Sequence, residues 1–157
     1  MSGSQRVRVL AAGCFDLLHY GHLRYLEEAK KLGGDNAELI VVVARDSTIA
    51  LKKGRPPLMK EDYRRALVEA LKPVDRAILG ETDMDIDGVI REVNPDIIAL
   101  GYDQGELADL LRGHTKAEVI MLKKYEEMSS SVIRSLIYCK WNPTSREVPS
   151  AGQDHRH

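Results

Sequence analysis

The stretch Val7-Arg8-Val9-Leu10-Ala11-Ala12-Gly13-Cys14-Phe15-Asp16-Leu17-Leu18-His19-Tyr20-Gly21-His22 decides the fold. Its opening, Arg6–Ala12, is a short apolar run with valines, closed by Gly13, and reads as a first strand. Past Tyr20 the period changes. Leu23, Leu26 and Ala29 recur at helical spacing until Gly33-Gly34 stops the turn. A strand passing through a tight turn into a helix opens an alternating chain, and the rest of the sequence repeats the pattern. Further apolar runs stand at Leu39–Ala44, Ala77–Leu79, Ile97–Leu100 and Val119–Leu122. Leu39–Ala44 is continuous rather than alternating, as a parallel strand covered on both faces requires.

Helical faces lie between these runs. Tyr63, Ala66, Leu67, Ala70 and Leu71 form one, ended by Pro73; Ile86, Val89, Ile90 and Val93 form another, ended by Asn94-Pro95. Leu107, Leu110 and Leu111 mark a third, and Val132, Ile133, Leu136 and Ile137 a last. Five strands alternating with helices predict one α/β domain, a Rossmann-like, doubly wound five-stranded parallel sheet. Ligands are then expected at the carboxyl ends of the strands, near the point where strand order reverses. Residues 1–141 read as a single domain and 142–157, without periodicity, as a flexible tail. The basic stretch Asp46–Pro57 and the acidic stretch Gly80–Asp87 read as loops.

Composition narrows the function. In 157 residues, 23 Lys and Arg stand against 24 Asp and Glu, for a net charge of −1. That balance removes the general electrostatic case for nucleic acid or an anionic membrane as partner. One Trp, one Phe and six Tyr are too few for a base-stacking platform. No apolar run approaches the roughly 18–20 residues that span a bilayer. Met1–Gln5 carries no apolar signal segment, so a cytoplasmic location is expected. Cys14 and Cys139 are the only cysteines and build no disulfide framework.

His19 and His22 sit three apart where a helix begins, so both imidazoles leave its first turn on one face. Gly21 between them lets an anion approach the backbone. The helix start adds free N–H groups and partial positive charge, which suit phosphate. Together these favour oxygens that gain charge in phosphoryl or nucleotidyl transfer. Zinc is a rival, with Cys14, Asp16, His19 and His22 as ligands, but their spacing matches no common closed site. Asp16 has the residue type of a helix cap. Cys14 reads either as a small residue facing a ligand or as a thiol activated by the helix start.

The run Gly13-Cys14-Phe15-Asp16-Leu17-Leu18-His19-Tyr20-Gly21-His22 resembles the signature of the cytidylyltransferase-like nucleotidyltransferases, whose hallmark is His-x-Gly-His. The resemblance implies that His19 and His22 contact the nucleotide phosphates and stabilise the transferred α-phosphoryl group. It implies that the backbone at Cys14 and Phe15 holds the triphosphate or nucleoside, with Asp16, Tyr20 and Gly21 in the same binding segment. It also implies that a lysine, Lys52 or Lys53, folds over the triphosphate; spacing does not choose between them. Arg64 and Arg65 read as surface partners of Glu61 or Glu69.

Two later segments join the resemblance. Gly101-Tyr102-Asp103 follows a buried strand, and the family's Gly-x-Asp there contributes to the nucleotide site, which gives Asp103 a binding role beside that of a helix cap. Ser129, Ser130 and Ser131 open the last helix with Arg134 one turn in, a set suited to β- or γ-phosphate. Cytidylyltransferases usually place Arg-Thr-x-Gly just before this point. Here Lys124-Tyr125-Glu126-Glu127 stands instead, leaving Lys123, Lys124 or Arg134 to grip the nucleotide.

Among the branches, glycerol-3-phosphate cytidylyltransferase shares the first motif, and the adenylyltransferase of bacterial ADP-heptose synthesis resembles Gly13–Ala29. The archaeal FAD synthases resemble the chain in separate segments: Ala44–Ser47, Leu71–Gly80 and Pro95–Gln104. That resemblance implies transfer of AMP from ATP to FMN, with Mg²⁺ or a similar cation accompanying ATP, and a homodimer as the working form. Tyr20, Tyr102 and Tyr125 are then the candidates for holding the flavin ring. A nucleotide sensor on the same fold is the non-enzymatic alternative, though such a protein is expected to have lost one histidine.

Overall fold

Along β1 (Val7–Gly13) the side chains alternate, Val9 and Ala11 turning to one side of the sheet and Leu10 to the other, and all three are buried. The same division runs through β2 (Ala37–Val43), where Leu39, Val41 and Val43 oppose Ile40. It recurs in β4 (Ile97–Leu100), where Ala99 opposes Ile98 and Leu100. A strand covered on both faces has no polar side to show, which is why these runs are continuous in sequence. A computed structural model describes residues 3–82, 85–125 and 127–141.

The sheet is completed by β3 (Arg76–Leu79) and β5 (Glu118–Met121), all strands parallel, in the order β3-β2-β1-β4-β5. Order therefore reverses between β1 and β4, at the centre. On one face lie α1 (Tyr20–Leu32) and α3 (Glu61–Glu69), burying Leu26, Ala29 and Val68 against β1 and β2. On the other lie α4 (Ile86–Val93) and α5 (Gly105–Leu111), burying Val89, Val93, Ala108 and Leu111. Each fully covered Val, Leu or Ile contributes about 1.5–3 kcal/mol, so both faces are needed to hold the sheet. The last helix, α6 (Ser130–Trp141), follows β5.

Three expectations change. Asp46–Pro57 is not all loop: Asp46–Lys53 forms α2, with Ile49 buried, Lys52 and Lys53 in its last turn and Gly54 closing it at φ +66°. The apolar face expected on α3 is misplaced. Tyr63 and Leu67 are 61% and 43% exposed, while Arg64 and Val68 are fully buried. Arg64 takes the inward stripe because the backbone carbonyls of Cys14 and Ala44 at the strand ends accept its donors. In the acidic stretch, Asp85 caps α4 by accepting from Gly88 N–H at 2.9 Å. The segment 142–157, expected as a tail, lies outside the described residues. No helix among the described residues is long and apolar enough to cross a membrane.

Candidate active site

A cavity of about 440 Å³ opens where β1 and β4 end, at the reversal of strand order. Tyr25 and Gln104 brace that junction. The Tyr25 hydroxyl donates to Ala99 O at 2.7 Å and accepts from Ala12 N–H at 3.4 Å, and burial pushes its pKa well above the ordinary value. Gln104 accepts from Gly101 N–H and donates to Ala12 O. Neither was singled out from sequence, since each acts across strands far apart in the chain.

His19 is the N-cap of α1, in extended backbone, and His22 lies in the first turn. Their rings stack with centroids 3.7 Å apart, and His22 Nδ1 accepts from His19 N–H at 3.4 Å. This acceptor role leaves the proton of a neutral His22 on Nε2. Burial, aided by the charges of His19 and Lys53, holds the His22 pKa down to about 3; burial also lowers that of His19. Both imidazoles are therefore neutral near pH 7. The close stack depends on Gly21. A Cβ there would lie 3.0 Å from the His19 ring and 3.1 Å from Met128 O. Phe15, 1% exposed and at φ +53°, packs against His22 with ring centroids 5.1 Å apart and planes tilted by 55°.

Asp16 neither caps α1 nor stands free for a nucleotide. Its carboxylate is 3% exposed and accepts from Leu58 N–H at 2.8 Å, Met59 N–H at 3.1 Å and Arg134 Nη2 at 3.0 Å. It ties the 55–59 loop and α6 to the turn after β1, and with it engaged the four residues weighed for zinc form no cage. Among the described residues, no three His, Cys, Asp or Glu side chains are grouped to hold a metal.

Arg64, read as a surface partner, is the residue that sequence reasoning most misjudged. Nη1 donates to Cys14 O and to Ala44 O, each at 2.7 Å, Nε donates to Met59 O at 2.9 Å, and Nη2 pairs with Asp46. One guanidinium thereby fixes the ends of β1 and β2 and the loop beyond α2. Its only sequence signal was its place four before Val68 on the inward stripe. Arg65 does pair with Glu69, as expected.

The cavity brings together Cys14, Asp16, His19, Gly21, His22, Lys52, Lys53, Tyr102, Asp103, Tyr125, Ser129–Ser131 and Arg134 along with Phe15. Tyr20 is 57% exposed and does not line it, which separates this candidate from the rest. Asp103 is exposed at the end of β4, and Gln104 rather than Asp103 is the N-cap of α5. Ser129 Oγ accepts from Val132 N–H and Ser130 Oγ donates to Leu17 O, so these two hydroxyls shape the start of α6. Two buried polar atoms facing no partner among the described residues, His19 Nδ1 and Arg134 Nε, belong to this cavity's lining side chains. With Lys52, Lys53 and Arg134 in the same lining, the setting suits an anion.

The model of the cytidylyltransferase-like family matches residues 10–136. The chain belongs to that family. Within it, a relative from Aciduliprofundum boonei named FAD synthase is 49% identical over 137 residues, 84% of this chain and 89% of its own length. Another of that name from Thermoplasma acidophilum is 50% identical over 83% of this chain and 94% of its own. Among solved structures, a Thermoplasma volcanium protein described as a lipopolysaccharide core biosynthesis protein is 46% identical. It superimposes at a TM-score of 0.67 over 78% of this family member and all of its own chain.

Proposed function

We propose that the protein is an FMN adenylyltransferase, moving AMP from ATP to the phosphate of FMN and releasing pyrophosphate. The observation that carries nucleotidyl transfer is the pair of unpartnered buried atoms, His19 Nδ1 and Arg134 Nε, in a cavity also lined by Lys52 and Lys53. The acceptor follows from relatives named FAD synthase. A phosphate oxygen of FMN attacks the α-phosphorus of ATP in line, one P–O bond forming as the bond to the pyrophosphate oxygen breaks. An ionised phosphate needs no general base, and among the described residues the cavity lining shows no base–orienter pair. His22 Nε2–H and His19 donate to the α-phosphoryl oxygens as charge builds there. Lys52 or Lys53, Ser131 and Arg134 hold the departing pyrophosphate. Cys14 and Asp103 flank the substrates.

A divalent cation accompanying ATP would supply charge neutralisation on the leaving pyrophosphate, with Asp103 the carboxylate of the cavity placed to meet it. The donor set fits a cation carried by ATP rather than caged by protein, since Asp16 is engaged and Asp103 is the exposed carboxylate of the cavity. On the family resemblance the working form is a homodimer; a sedimentation mass of one chain at assay concentration would count against that.

The test pairs ATP or CTP with FMN, glycerol 3-phosphate or heptose 1-phosphate in the presence of Mg²⁺, with nucleotide products and pyrophosphate separated chromatographically. FAD from ATP and FMN alone is expected. The sugar-phosphate acceptor is the second reading, favoured by the description of the Thermoplasma volcanium structure, and ADP-heptose would establish it. No pyrophosphate with any pair would leave the nucleotide-sensor reading.

A further inference from the structure

Helix α2 has little core of its own. Ile49 is its buried residue, and from Ala50 to Lys53 every residue is exposed. Its last turn nonetheless places Lys52 and Lys53 in the lining of the cavity. The helix is held at its other end. Its N-cap residue, Arg45, makes no side-chain cap to the helix start. The cap comes instead from α3, where Glu61 Oε2 accepts from the N–H of Asp46, the first residue of α2, at 2.7 Å. Glu61 Oε1 accepts from Arg45 Nη1 at 3.0 Å, and Arg45 Nε donates to Gly80 O, just past β3, at 2.8 Å. One turn along α3, Arg64 Nη2 takes the Asp46 carboxylate at 2.7 Å.

We propose that Glu61 is a positioning residue for nucleotidyl transfer: by capping α2 from a neighbouring helix, it aims Lys52 and Lys53 at the pyrophosphate part of the triphosphate. The assignment rests on the nucleotidyl-transfer reading above and says what holds those lysines in place. A carboxylate at a helix start satisfies a free N–H and opposes the positive end of the helix dipole. The Asp46 N–H, with Arg45 behind it, holds the Glu61 carboxyl below the ordinary glutamate pKa, so the cap is charged at neutral pH. Lys52 and Lys53 follow Asp46 by six and seven positions. That is about 9–10 Å along the axis, so a small tilt at Asp46 is carried to both ammonium groups. One buried isoleucine fixes the depth of α2 but not its direction. Arg64 secures carbonyls of two strand ends and a loop, whereas both bonds of Glu61 go to the start of α2. Removing Glu61 therefore reports on the helix and its lysines, not on the sheet.

The experiment measures pyrophosphate binding by calorimetry in wild type, Glu61→Gln and Glu61→Ala. Glu61→Gln is then repeated in the Lys52→Ala and Lys53→Ala backgrounds. Glu61→Ala is expected to weaken binding by about fivefold, the scale of a lost helix cap. Glu61→Gln keeps the shape and one acceptor and should weaken it by about threefold, so the result stands even if the alanine variant fails to fold. In at least one lysine background Glu61→Gln should have no further effect, since a residue that acts through a lysine has nothing left to aim. The same weakening in all three backgrounds would make Glu61 a support of the fold alone and overturn the assignment. Unchanged binding in both Glu61 variants would overturn it as well. No pyrophosphate binding by wild type would instead overturn the reading of the cavity itself, and the assignment with it.

Discussion

The two faces of the sheet are built for different work. On the α1/α3 side, Arg64, Asp16 and Tyr25 convert strand ends and loops into a lattice of directed bonds around His19 and His22. On the α4/α5 side the same sheet is met by aliphatic side chains, and an apolar groove is left between the helices. Directed bonds fix atoms to fractions of an ångström, as phosphoryl chemistry demands. Aliphatic walls fix only shape.

Damage to the directed bonds of the first face should change stability and turnover together, while damage to the aliphatic second face should change stability alone. Arg64→Met should have the largest effect. It strands the carbonyls of Cys14, Ala44 and Met59, and urea unfolding should show a loss of about 3–5 kcal/mol, the scale for breaking a buried charge network. A loss under about 1 kcal/mol would mean that the lattice is ornamental. His22→Ala should lower kcat by about 10²–10³, or roughly 2.7–4 kcal/mol of transition-state stabilisation, with the KM for FMN little moved. An effect on FMN KM alone would take the chemistry away from the first face.

Tyr25→Phe is subtler. Removing the hydroxyl leaves Ala99 O and Ala12 N–H short of a partner where β1 meets β4, and about 1.5 kcal/mol of stability should go with it. The smallest effect is set by pH. The folded pKa of His22 is depressed to about 3 from its ordinary 6.5, so between those values the unfolded chain binds more protons than the folded one. Stability of the free protein must then fall as pH falls below 6.5, by about 1 kcal/mol between pH 6.5 and 5.5 from this group. His22→Asn should flatten that slope in thermal melts. Pyrophosphate should protect more at pH 5.5 than at 7.5, because a bound anion favours the protonated imidazoles.

What could be read in the sequence was what is local. The strands were legible because burial on both faces leaves unbroken apolar runs, and the histidine pair because its whole geometry fits within one turn. Arg64 was hidden because its partners, Cys14 and Ala44, lie 50 and 20 positions away and are carbonyls, which any residue supplies. Asp16 looked like a cap because its neighbours in sequence suggested a helix start, while its actual donors come from Leu58, Met59 and Arg134. Helix α2 buries Ile49 alone, too little for a periodic signal, and its basic end resembled a loop. The α4/α5 groove left no pattern because a cavity is made by what two helices do not touch.

The Asp16 carboxylate also orders events in time. Its donors lie 42, 43 and 118 positions along the chain, whereas the last strand ends at Met121 and the sheet is complete without α6. Loop closure over so long a span adds only slowly to the entropy lost, so the final docking is thermodynamically modest. It is nonetheless the step that brings Arg134 onto Asp16 and into the lining of the cavity. Every strand precedes α6 in the chain, so the sheet is a complete platform onto which that last wall of the cavity docks.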